Sequence, residues 1–154
     1  MYIIKPEDPT TQDAQQLLAE LSATLADISG ASGEASFDLA DVQVPRSVFM
    51  LARDAAGQPV GCGALRPLSA EIGEVKRMYV RAKAHGVGTT VLQALESFAR
   101  ENGYKALWLE TRRINTRAVR FYLQRGYHVI DNYGKYKSSP AAICFEKQLR
   151  LKMD

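Results

Sequence analysis

Apolar positions along the chain follow two spacings. Over 12–28, Leu17, Leu18, Leu21, Leu25 and Ile28 fall at helical spacing behind Thr10 or Thr11, either of which suits a helix N-cap. Over 87–102, Val87, Val91, Leu95 and Phe98 form one stripe, widened by Leu92 and Ala99, and Asn102 with Gly103 supplies the stop. Over 115–125, Ala118, Phe121 and Tyr122 share a face, and Gly126 ends the segment. Between these lie apolar runs of strand length: 1–6 ended by Pro6, 48–52, 59–65 ended by Pro67, 71–80, 104–110, 127–130 and 141–145. Asp54 to Gly57 is a turn signal that makes 48–65 a hairpin. The Gly-, Ser- and Asp-rich stretch 29–45 reads as a loop or short helix, and 131–140 as a loop. The predicted order is β-α-loop-β-β-β-α-β-α-β-β. It is an α/β fold with a mixed sheet flanked by helices, a hairpin-rich first half and βαβ units in the second.

One strand breaks its own pattern. In 71–80, Val75 is apolar on one parity, and Met78 and Val80 on the other. A change of parity inside a strand is what a β-bulge produces. A bulge leaves backbone groups unpaired, where a ligand can take them up.

Composition narrows the class. The chain has 154 residues, 46% hydrophobic and 24% charged, as expected of one ordinary domain with a real core. It has no apolar run of membrane-spanning length and no signal-peptide pattern at Met1 to Pro6, so a cytoplasmic protein without membrane attachment is expected. The net charge of +3 does not point to nucleic acid. Cys62 and Cys144 sit in apolar contexts and read as small buried hydrophobes, and His85 and His128 stand alone, so no metal site is expected.

The basic residues are grouped, however. Lys76, Arg77, Arg81, Lys83 and His85 form one cluster, and Arg112, Arg113, Arg117, Arg120 and Arg125 another. Such runs are either solvated faces or sites for an anionic ligand. The first cluster leads through Gly86, Val87 and Gly88 straight into a helix. A helix start with free N–H groups, close-approach glycines and the cations Lys83 and His85 can cradle a pyrophosphate. The Walker A spacing is absent, and Val91 stands where a Rossmann fingerprint needs its third glycine.

The stretch from Glu74 to Val80, then Lys83, Gly86 and Gly88, then Leu95 to Arg100, resembles the acetyl-CoA motif of the GCN5-related N-acetyltransferases. Lys83 stands at that motif's Arg/Gln position, with Gly86 and Gly88 at its small positions. The resemblance continues through Leu109 to Thr111, through Asn115, Ala118, Phe121 and Tyr122, and through Gly126 and Tyr127. Tyr133 to Tyr136 and Cys144 to Lys147 look like the family's C-terminal strand region.

The resemblance implies one acyl-CoA N-acyltransferase domain over 1–154, with a mostly antiparallel central sheet. It implies acetyl-CoA as cosubstrate and direct transfer to a primary amine of a small or amino-acid-like acceptor in a ternary complex. A peptide N-acetyltransferase and a non-catalytic acyl-CoA sensor are the alternatives, and a homodimer is common in the family. Backbone groups of Met78, Tyr79 and Val80 would receive the pantetheine arm. Lys83 and the amides of His85, Gly86, Val87, Gly88 and Thr89 would hold the pyrophosphate, and Asn115 would contact the CoA arm. Tyr122 would serve the departing thiolate, and Glu74, or next Glu110, would be the general base. The acceptor would lie against 12–45 and 131–140, where Tyr133, Lys135, Tyr136 and Lys137 suit a carboxylate.

Overall fold

The computed structural model describes residues 1–33, 37–81 and 84–150. Its strands are β1 (Ile3–Pro6), β2 (Val48–Arg53), β3 (Pro59–Pro67), β4 (Ile72–Val80), β5 (Ala106–Arg112), β6 (His128–Ile130) and β7 (Ala142–Gln148). The helices are α1 (Gln12–Ser29), α2 (Val87–Glu101) and α3 (Thr116–Gln124), with 3-10 turns at Leu39–Val42 and Gly134–Tyr136. The element order is the predicted one. The seven strands form one sheet in the order β1-β2-β3-β4-β5-β7-β6. Every neighbouring pair is antiparallel except β4 and β5.

Each helix buries the stripe its sequence carries. Thr11 caps α1 by accepting from the Ala14 amide. Ala14, Leu17 and Leu18 of α1 lie on one sheet face with Phe49, Leu51, Cys62 and Ala64. Val87, Val91, Leu92, Leu95 and Ala99 of α2 cover the opposite face with Val48, Met50, Leu65 and Val75. Tyr122 of α3 joins that second cluster with Leu109 and Phe145. Beyond α1, the first face is closed by the loop after β6, whose Tyr136 packs with Ala142 and Cys144. Both cysteines are free and buried, and burial pushes the Cys62 thiol up to about 12.

Two irregularities position the site. The β3–β4 register slips between Cys62 and Ala64, so β4 carries one extra residue there, and Arg77 adopts a left-handed φ of 55°. This is the bulge that the parity change predicts. The second is the β4–β5 ladder. It holds only Ile72 to Glu74 against Ala106 to Trp108, although β4 runs on to Val80 and β5 to Arg112. The two strands are therefore unzipped along their C-terminal halves.

Candidate active site

The unzipped strands bound a cleft of about 150 Å3. Val75 to Met78 form one wall and Leu109 to Arg112 the other. Leu21, Leu25 and Ser29 of α1 close it on one sheet face, and Asn115, Ala118 and Tyr122 on the other. Residues far apart in sequence meet here because the bulge and the end of the ladder fall at the same level of the sheet.

On the α2 face the arrangement suits a long anionic cofactor arm. Gly86 is the N-cap of α2 at φ +79°, with no side-chain cap, so the first-turn amides are not claimed by a side chain. A Cβ on Gly86 would meet nothing, so this glycine is set by backbone conformation. Gly88 is different: a Cβ there would lie 3.2 Å from the Phe121 ring and 3.3 Å from Val80, so any side chain would have to press the Phe121 ring of α3 outward. His85 is exposed beside the helix start. Lys83 lies outside the described residues. Arg125, which the sequence shows only as one member of the second basic cluster, donates to Thr89 Oγ1 at 2.8 Å and lies over the Phe121 ring at 3.9 Å. It places a guanidinium beside the α2 N-terminus. Its place in that cluster and at the end of the Tyr122 helix are the traces it leaves in the sequence.

Met78 and Val80 point toward the α2 core, whereas Tyr79 faces α1 and donates its hydroxyl to Glu20 at 3.0 Å. Only the backbone of Tyr79 can thus serve a ligand in the cleft. Asn115 caps α3 by accepting from the Ala118 amide at 3.2 Å and also lines the cleft. Tyr122 is buried, with its ring edge-on to Phe121 and Tyr127 at centroid distances of 5.2 and 5.6 Å. Burial holds its phenol well above the ordinary value, so it keeps its proton at neutral pH.

The two candidate carboxylates part company. Glu74 is 1% exposed and does not line the cleft. It accepts from Arg66 Nε at 2.7 Å and from the Tyr133 hydroxyl, and so ties the loop after β6 to the sheet. Glu110 does line the cleft. Its Oε2 is buried without a hydrogen bond, with Arg112 Nε at 3.4 Å as an ion-pair partner. Burial raises its pKa, against the lowering pull of Arg112 and Lys76. Tyr133 and Tyr136 are turned inward instead of lining the cleft: Tyr133 packs on Trp108 at 4.9 Å, and Tyr136 accepts from Lys76 Nζ at 2.9 Å. Among the described residues no group of three or more His, Cys, Asp or Glu is placed to hold a metal, and no helix is long and apolar enough to cross a membrane.

Residues 15–127 match the Acetyltransferase (GNAT) family. The chain is 34% identical over 149 residues to a protein named IAA acetyltransferase from Azospirillum brasilense, covering 95% of this chain and 97% of that one. It is 27% identical over 150 residues to the uncharacterized N-acetyltransferase YsnE of Bacillus subtilis (strain 168), covering 95% and 99%. Among solved structures, a provisionally assigned acyl-CoA N-acyltransferase from Klebsiella pneumoniae superposes with a TM-score of 0.82 at 30% identity, over 97% of this chain and 99% of that one. A GNAT family acetyltransferase from Elizabethkingia anophelis, crystallised with acetyl-CoA bound, shares the fold at a TM-score of 0.72 and 20% identity, over 96% and 98%. With its bulged β4, unzipped β4–β5 junction and glycine-started α2, this chain belongs to the GNAT family and is an N-acetyltransferase.

Proposed function

We propose that residues 1–154 act as one domain that moves the acetyl group of acetyl-CoA directly onto a primary amine of a small or amino-acid-like acceptor, both substrates being bound together. The observation that carries this is the unzipped β4–β5 junction. Its open β4 edge runs on to Val80, which packs against Gly88 at the uncapped α2 start, and its cleft is lined by the largely shielded carboxylate of Glu110 and by Tyr122. The first-turn amides of α2 and Arg125 would hold the pyrophosphate, and the free edge of β4 near Met78 and Val80 would pair with the pantetheine arm.

A primary amine is mostly protonated at pH 7 and must lose a proton before it attacks. Glu110, not Glu74, is the base in this reading, because Glu74 is already engaged by Arg66 and Tyr133 away from the cleft. The amine nitrogen bonds to the thioester carbonyl carbon, the C–S bond breaks, and the amine proton passes to Glu110. The raised pKa of Tyr122 makes it a hydrogen-bond donor to the departing sulfur and a poor proton source until that sulfur carries charge. An N–H near Met78 would meet the oxyanion.

The test is thiol release on mixing the protein with acetyl-CoA and a panel of amines, amino acids and short peptides. Acceptor-dependent release is expected, and Tyr122→Phe should lower kcat on the order of 10²-fold while leaving CoA affinity intact. Acetyl-CoA binding with no release for any acceptor would overturn the reading in favour of a sensor.

A further inference from the structure

The α1 side of the cleft carries charges that acetyl transfer does not use. Lys76 lines it with a side chain only 8% exposed. Its nearest carboxylate, Glu74, lies 4.0 Å away and is already bonded to Arg66 and Tyr133, and Arg66 also pairs with Asp41 at 2.8 Å. The ammonium is thus held in place by the Tyr136 hydroxyl at 2.9 Å rather than by a full counter-charge. Burial pulls its pKa down, as expected of an incompletely compensated cation.

Arg112 stands on the opposite wall. One guanidinium nitrogen is fixed by Ser139 Oγ at 2.9 Å and another faces Glu110 at 3.4 Å. Arg66, Lys76 and Arg112 face the carboxylates Asp41, Glu74 and Glu110 around this region, and the exposed Lys135 adds one more cation at its rim. Beside these charges α1 presents Leu21 and Leu25.

CoA phosphates do not explain the excess. Lys76 precedes Val80 by four residues, about 13 Å along an extended strand, so it lies far from the start of α2. An ammonium as shielded as that of Lys76, with its nearest carboxylate at 4.0 Å, is costly to hold unless a ligand completes it, and a guanidinium paired with an ammonium matches a carboxylate.

We infer that the acceptor carries a carboxylate, held between Lys76 and Arg112, and an apolar body laid against Leu21 and Leu25. The acceptor class is a small amino acid-like compound with an apolar side chain. This rests on the acetyl-transfer reading for what happens to the amine, but the anion site itself is independent of turnover. The surrounding cations also favour the neutral form of the acceptor amine.

The experiment pairs two readouts on the full chain. In the first, kcat/KM is measured for L-phenylalanine against 2-phenylethylamine, and for L-leucine against 3-methylbutylamine. In the second, equilibrium binding of phenylacetate is compared with that of phenylacetamide in the presence of CoA. The carboxylate member of each pair is expected to win by tenfold or more. Lys76→Met should bring the ratios close to one, Lys76→Arg should restore part of the preference, and circular dichroism should show both variants folded.

If the simple amines are acetylated as well as the amino acids and phenylacetate binds no better than its amide, the carboxylate site is overturned while acetyl transfer stands. If nothing is acetylated but phenylacetate binds in a Lys76-dependent way, the site stands and the acetyl-transfer reading falls. If neither acetylation nor phenylacetate binding occurs, the inference is overturned.

Discussion

At Glu110, burial favours the neutral acid, while Arg112 and Lys76 favour the carboxylate, and burial is the larger effect. The sign of the resulting pH dependence follows. The folded pKa lies above the unfolded one, so the unfolded chain gives up this proton first as pH rises. Stability is then lost as pH climbs through the folded pKa, and the ionised carboxylate is carried at a cost. Glu110→Gln removes that cost. Its melting temperature should exceed that of the wild type at pH 8, and the advantage should shrink on acidification below the folded pKa. The same variant should lose on the order of 10²-fold in kcat and the acid limb of the pH–rate profile, a limb expected above the ordinary glutamate value of 4.5. A retained limb would move the base elsewhere. The contrast with Glu74 was not legible in the sequence. Both glutamates sit on adjacent strands and face the same side of the sheet. What separates them is Arg66 from β3 and Tyr133 from a loop 59 positions away, a meeting that no local pattern encodes.

At the scale of elements, the helices and strands were legible because their apolar spacing is strong, and even the bulge showed in the parity of Val75, Met78 and Val80. The ends of β5 and β7 were not. Both run on through polar residues, to Arg112 and Gln148, because the β5–β7 ladder pairs Arg112 with Ala142 at one end and Ala106 with Gln148 at the other. The end of the β4–β5 ladder was also hidden, since each strand alone reads as continuous. One inter-element contact carries a stability prediction. Glu96 of α2, 5% exposed, accepts from Tyr127 at 2.9 Å and from Lys147 of β7 at 3.1 and 3.2 Å. Lys147 also caps the end of α3 through the Arg125 carbonyl at 2.9 Å. Lys147→Met leaves a buried carboxylate short of its cation and should cost about 3 kcal/mol in denaturant unfolding. Lys147→Met with Glu96→Leu should recover most of it.

Across the whole molecule, the sheet consists of two packed halves, β1 to β4 and β5 to β7, joined at their shared edge by three residue pairs of one ladder. A beam that is glued for a third of its length bends at the unglued part. The relative pose of the halves, and with it the spacing between Met78 and Arg112, should therefore be the softest coordinate of the sheet, held mainly by the core that α2 and α3 share with both halves. Anything lodged in the gap acts as a tie rod that supplies the cross-links the backbone omits. Loading should then stiffen the protein, and occupancy should be readable mechanically. A ligand at a hundred times its Kd adds about 2.7 kcal/mol, a rise of roughly 5–10 °C in melting temperature for a chain of this size. Amide exchange should slow most on the facing edges of β4 and β5 and least on β1 and β6. Equal slowing everywhere would mean that the halves already move as one, and that substrates enter a slot of fixed width.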